Sequence, residues 1–100
     1  MVIYEITAVV RADLIEDYEE YMRERHIPDL LATAYFSGAA LTRSAEGRYR
    51  IQYRAHDQAA LDEYLEREAG RLRSDFVAHF PVGAEVSREI WEVLQDWTVD

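Results

Sequence analysis

The residues of this chain best suited to chemistry gather around one histidine. In the stretch RERHIPDLLATAYFSG, from Arg23 to Gly38, His26 stands before an Ile-Pro pair, an apolar run and the aromatic pair Tyr35-Phe36. An imidazole changes charge near neutral pH, so His26 is a candidate general acid or base, or a hydrogen-bond partner for a substrate. A purely structural role competes with this: at the C-terminal end of a helix, a histidine can bond an orphan carbonyl and its charge suits the helix dipole. Tyr35 is the second catalytic candidate, as a group that stabilises developing negative charge. Arg50, Arg54 and Arg71 are candidates for holding an anionic group, and Phe36 and Trp91 for walling an aromatic ligand. Each has an ordinary alternative. The arginines can pair with acids such as Glu5 and Glu89 across strands, Arg71 and Arg73 of GRLR can cap carbonyls as readily as grip an anion, and aromatic rings can simply fill a core.

Composition removes several other chemistries. The 100 residues include no cysteine, lysine or asparagine, and all 11 basic residues are arginine. Thiolate nucleophiles, disulfides and Schiff bases are therefore absent, and any bound anion would meet a guanidinium. His26, His56 and His79 lie far apart without a metal-binding spacing, so no metal site is expected, and no cofactor. A net charge of −9 repels nucleic acid and anionic membrane surfaces. No apolar run approaches the roughly twenty residues that cross a bilayer, and the N-terminus lacks a basic-then-apolar leader, so the expected compartment is the cytoplasm.

The elements that must position these groups follow from periodicity. Val2–Arg11 is rich in β-branched residues and reads as a first strand. Asp13 and Glu16 have capping-box spacing, and Leu14, Ile15, Tyr18, Tyr21 and Met22 recur as the buried stripe of a first helix. Pro28 is expected to end that helix, turn the chain at His26-Ile27 and open a short second helix in PDLLATA. YFSGAALTR reads as strand two, with Gly38 at a bulge or close approach, and SAEG as a turn. In strand three, RYRIQYRA, Tyr49, Ile51, Tyr53 and Ala55 face one way and Arg48, Arg50, Gln52 and Arg54 the other. Asp57 caps a last long helical stretch with a kink at Gly70, and EVSREIWEVLQDW reads as a final strand. The order strand-helix-strand-strand-helix-strand predicts one α+β domain over residues 1–100, a ferredoxin-like βαββαβ fold. Its four-stranded antiparallel sheet would carry both helices on one face.

The segments IYEITAVV, HIPDLLATAYFSGAAL and EREAGRLRSDFVAHF resemble a family of roughly 100-residue bacterial proteins catalogued as a domain of unknown function. That family is similar to the dimeric α+β barrel group, which includes antibiotic-biosynthesis monooxygenases and muconolactone isomerases. The resemblance implies a homodimer joined through the helix-free sheet faces, with Glu5, Arg50, Gln52 and Arg54 at an interface or cavity. It implies a small aromatic or apolar ligand, and a cofactor-independent oxidation, isomerisation or cyclisation of an enolisable substrate. Heme-degrading members of the group use an asparagine that this chain lacks. The alternative expectation is a non-catalytic ligand-sensing or protein-interaction module.

Overall fold

Four strands and two interrupted helical stretches alternate along the chain. The computed structural model describes residues 1–99. Strand β1 (Val2–Val10) is followed by a 3-10 turn at Ala12–Leu14, helix α1 (Ile15–Tyr21), a π-helical turn at Met22–His26 and helix α2 (Ile27–Leu31). Strands β2 (Phe36–Ala45) and β3 (Arg48–Ala55) form a hairpin. Helices α3 (Gln58–Arg67) and α4 (Ala69–His79) then lead to β4 (Ala84–Glu92). The antiparallel sheet has the order β2-β3-β1-β4, so the first strand is central and β2 and β4 are edges. This is the expected α+β ferredoxin-like fold.

Register turns strand periodicity into two distinct sheet faces. Tyr4 pairs with Tyr53 and Ile90, and Ile6 with Ile51 and Arg88, so these side chains share the face beneath the helices. There Tyr4, Ala8, Tyr49, Ile51 and Tyr53 are buried together with Tyr18, Tyr21, Met22 and Leu30 from the first helical stretch and Leu61, Tyr64 and Leu72 from the second. The opposite face, with Glu5, Arg50, Gln52, Arg54 and Trp91, has no helical cover.

The first helical stretch departs from expectation at both ends. Asp13 does not cap it: the side chain forms a fork with Arg11, Nε to Oδ1 at 2.6 Å, while the 3-10 turn leads straight into α1. Nor does Pro28 end it. His26 and Ile27 both keep right-handed helical angles, and Ile27 N–H reaches back to the Met22 carbonyl, five residues away. A proline removes one backbone donor and crowds the preceding turn. A turn widened by one residue takes up that crowding, and the helix runs on, with Ala32 N–H donating to the Pro28 carbonyl at 3.0 Å. His26 is therefore the last residue of a wide turn inside a helix, and not a helix-terminal cap.

The remaining elements differ less. Asp57 caps α3, accepting from Ala60 N–H at 2.8 Å. The break between α3 and α4 falls at Glu68 (φ −119°), two residues before Gly70. The β2 register shifts between Phe36 and Gly38, and what approaches Gly38 is the Arg54 guanidinium, which a Cβ at that position would strike. Strand β4 stops at Glu92, short of Trp97, and Leu94, Trp97 and Val99 stand exposed in an irregular tail.

Candidate functional site

A narrow cleft opens on the helix side of the sheet. Its floor is Tyr4 and Ile6 of β1, Tyr53 of β3, and Val86 and Arg88 of β4. Its roof comes from the π turn, where Met22 and His26 lie one above the other, and from Tyr64 of α3 and Arg73 and Phe76 of α4. The open volume is about 40 Å³, room for a few water-sized groups. A wider, shallower groove of about 520 Å³ runs between α2 and β2. Its polar groups already satisfy one another, since Glu19 accepts from the Tyr49 hydroxyl at 2.6 Å and from Arg43 at 3.1 Å. The cleft differs in having polar groups that are not spoken for.

His26 is the first of them. Its Nδ1 lies 3.5 Å from the Tyr21 hydroxyl. That hydroxyl donates its only proton to Asp75 Oδ2 at 2.7 Å, and Arg25 donates to Asp75 Oδ1 at 2.7 Å. With its proton committed, the Tyr21 oxygen can only accept from His26, which assigns the imidazole proton to Nδ1 and leaves the lone pair on Nε2, with no partner among the described residues. Burial lowers the His26 pKa below its usual value of 6.5, outweighing the nearby Asp75 and Asp29 charges, and Arg88 lowers it further. The ring is thus a neutral base at neutral pH. The Tyr21 hydrogen bond and Arg25 hold Asp75 below the ordinary carboxylate range. Burial, reinforced by Asp75, pushes the Tyr21 hydroxyl up. The arrangement is a carboxylate orienting a tyrosine that orients a histidine, the logic by which a base is fixed toward a reacting atom.

Tyr53 is the second. Its side chain is fully buried, yet among the described residues no group reaches its hydroxyl. Such a group normally finds a partner, so Tyr53 keeps an unused donor beside the cleft that the residue lines. Its pKa is raised well above the ordinary tyrosine value, chiefly by burial, so it stays protonated as a donor. Arg73 and Arg88 complete the set. Arg73 Nη2 donates to the Tyr4 hydroxyl at 2.9 Å, and Arg88 projects from the edge strand.

The structure separates the residues that the sequence singled out. Only His26 lines the cleft. Tyr35 is half-buried at the margin of the core, and its carbonyl accepts from His56 N–H at 3.2 Å. Phe36 is a core residue, its ring 5.0 Å from Tyr64 and 5.8 Å from Tyr53. Arg71 pairs with Glu68 at 2.8 Å on the surface of α4. Arg50, Arg54 and Trp91 lie on the uncovered face, the first and last of them joined to Glu5. Of the other cleft residues, Tyr53 and Tyr64 read from the sequence as core, Arg73 as a cap or an anion-binding group, and Arg88 carries no reading of its own. The available signals were the surplus of tyrosines and the arginine that interrupts the apolar alternation of Val86 and Ile90. No group of three His, Asp or Glu side chains among the described residues could hold a metal ion.

The family described as "Domain of unknown function (DUF4286)" matches residues 1–94. The chain is a DUF4286 protein. No curated protein matches it in sequence. Among solved structures, the DUF4286 chain is similar to the heme-degrader MhuD of Mycobacterium tuberculosis, whose structure holds two hemes in its active site. The TM-score is 0.72 at 20% identity, over 98% of this chain and 100% of MhuD. It is similar to SnoaB of Streptomyces nogalater, a cofactor-independent oxygenase, with TM-score 0.73 at 10% identity over 95% of each chain. A structure named as an antibiotic biosynthesis monooxygenase gives TM-score 0.63 at 18% identity, over 89% of this chain and 96% of that one. At these identities the likeness is one of fold, and the fold is that of the dimeric α+β barrel group.

Proposed function

We propose that this DUF4286 protein is a homodimeric α+β barrel that binds a small aromatic or enolisable molecule in the cleft between helices and sheet, and that His26 removes a proton from it. The observation that carries this reading is the meeting in one cleft of an oriented neutral imidazole and a buried, unpartnered tyrosine hydroxyl. His26 Nε2 takes the proton from an activated C–H or O–H acid, and Tyr53 donates to the oxygen on which the negative charge collects. With dioxygen as oxidant, an activated methylene flanked by a carbonyl system becomes a carbonyl: two hydrogens leave, one oxygen atom enters and the other departs as water. SnoaB, a cofactor-independent oxygenase of the same fold, supports that outcome. Heme is not proposed as a cofactor, because an opening of about 40 Å³ is far smaller than a porphyrin.

The uncovered sheet face supports the dimer, since it presents Val9 and Trp91, both about half exposed, around a nearly buried Glu5. Sedimentation at micromolar protein is expected to give the mass of two chains. Activity is tested with acetylacetone, a small enolisable diketone whose methylene lies between two carbonyls, by oxygen uptake. The wild-type protein is expected to accelerate uptake over buffer, and His26→Gln to lose a factor of roughly 100 or more, the ordinary worth of a general base. No acceleration by the wild type overturns proton abstraction from this substrate class. The narrowness of the cleft favours a second reading, a ligand-sensing module without turnover, and binding of acetylacetone with no oxygen uptake supports it.

A further inference from the structure

Two arginines give the cleft a preference that the rest of the molecule lacks. The chain carries 20 acidic and 11 basic residues, and Arg11, Arg23, Arg25, Arg43, Arg50, Arg67 and Arg71 all pair with carboxylates. Arg48, Arg54, Arg73 and Arg88 do not do so among the described residues, although acids outnumber arginines nearly two to one, and the last two of these four belong to the cleft. Both line the same cleft, from opposite walls: Arg73 on α4 above, Arg88 on β4 below. No aspartate or glutamate lines that cleft. Arg73 spends one donor on Tyr4 and keeps the rest of its fork. Their charges also reach Tyr64, lowering the pKa of a hydroxyl that burial raises.

We propose that the cleft selects a small aromatic monoanion, its carboxylate-like head held between Arg73 and Arg88 and its ring against Tyr53, Tyr64 and Val86. The inference rests on the reading of the cleft as a ligand site and adds the charge class of the ligand. A guanidinium fork matches a planar carboxylate, and low-dielectric walls strengthen the attraction while the acidic exterior repels anions elsewhere. A head held at the rim by Arg73 and Arg88 leaves the body of the molecule to face His26 and the Tyr53 hydroxyl.

The matched probes are trans-cinnamate and cinnamamide, which share shape and differ in charge. Titration is followed by NMR on the arginine Nε–H and the His26 ring resonances of the full chain at low ionic strength. Cinnamate is expected to bind at least tenfold tighter than cinnamamide and to shift Arg73 and Arg88. In Arg73→Gln/Arg88→Gln that preference is expected to fall below twofold. Should the double variant fail to fold, Arg88→Gln alone, at an exposed position, is expected to cut the preference at least threefold. Equal affinities that survive substitution overturn the charge preference and leave the ligand site standing. Cinnamate shifts confined to Arg50 and Arg54 overturn it likewise. If neither probe perturbs His26 or the cleft arginines, both the preference and the ligand-site reading fail.

Discussion

On the uncovered face of the sheet, Glu5 accepts from Gln52 at 3.0 Å and from Trp91 at 3.2 Å, with Arg50 Nε 3.5 Å away. On the face beneath the helices, Tyr53 has no hydrogen-bond partner and Arg73 and Arg88 meet no carboxylate among the described residues. Both faces belong to the same strands and alternate residue by residue along them. On the uncovered face the nearly buried Glu5 gathers its partners from within the sheet, while Arg48 and Arg54 stand without a carboxylate among the described residues, so that face satisfies its one buried charge and leaves charged groups only at its surface. The helix-side face leaves donors and a base open, as a surface prepared for a small molecule must. Arginine by itself therefore distinguishes neither role, since Arg54 on one face and Arg88 on the other both lack an acid among the described residues; the buried groups do, Glu5 being partnered and the Tyr53 hydroxyl not.

The sharpest break between the faces is expected in stability. Tyr18 is 1% exposed on the helix side, its ring 4.9 Å from Tyr49 and 5.9 Å from Phe80. Tyr18→Ala empties the middle of that aromatic cluster, and the cost is expected to be about 3–5 kcal/mol in urea denaturation. Glu5→Ala on the uncovered face strands the Gln52 and Trp91 donors, but Arg50 is exposed and recovers water. The expected loss is smaller, about 1–3 kcal/mol. If Glu5→Ala costs as much as Tyr18→Ala, the uncovered face is a core in its own right, and the contrast between the faces collapses.

How much of this was legible in the sequence follows from the same contrast. The alternation of Tyr49, Ile51, Tyr53 and Ala55 against Arg48, Arg50, Gln52 and Arg54 is a local pattern, and it gave the strand, its faces and the uncovered side correctly. The cleft was not legible in that way. Tyr4, His26, Tyr53, Tyr64, Arg73 and Arg88 come from six elements; the β1 register with β3 and β4 aligns Tyr4, Tyr53 and Arg88, and the packing of the helical stretches on the sheet brings the other three over them. His26 was legible as chemistry but not as geometry. A proline two residues on reads as a stop, whereas a turn wider by one residue lets the helix pass through it. The arginines were misplaced for a related reason: residue type marks Arg50 and Arg88 alike, and only tertiary structure gives Glu5 to one and no acid to the other.

His26 gives a pH signature that the uncovered face does not share. Burial depresses its folded pKa below 6.5, so as pH falls through 6.5 the unfolded chain takes up a proton that the folded protein refuses. Stability is then lost with falling pH until the folded pKa is reached. Urea midpoints are expected to fall between pH 7.5 and 5.5 in the wild type and to change less in His26→Gln. Asp75, depressed by Tyr21 and Arg25, contributes in the same direction but only below the usual carboxylate range, so the two effects separate along the pH axis. Equal slopes in both proteins would mean that the His26 ring is solvated, and would remove the assignment of an unshared Nε2 facing the cleft.

The smallest stability effect is expected at Tyr53, and it sharpens the comparison most. Removing a hydroxyl that has a buried partner usually costs about 1 kcal/mol or more, because the partner is stranded. The Tyr53 hydroxyl has no partner among the described residues to strand. Tyr53→Phe is therefore expected to change folding stability by less than about 0.5 kcal/mol, or to raise it, since the folded state no longer buries an unpaired donor. Any ligand that hydrogen-bonds there should bind the variant more weakly, so the substitution separates function from folding at one atom. Tyr49 supplies the control on the same strand face: its hydroxyl donates to Glu19 at 2.6 Å, and Tyr49→Phe is expected to cost about 0.5–1.5 kcal/mol without touching the cleft. A loss at Tyr53→Phe as large as at Tyr49→Phe would show that the hydroxyl is satisfied within the folded protein, and the cleft would lose the donor on which its chemistry depends.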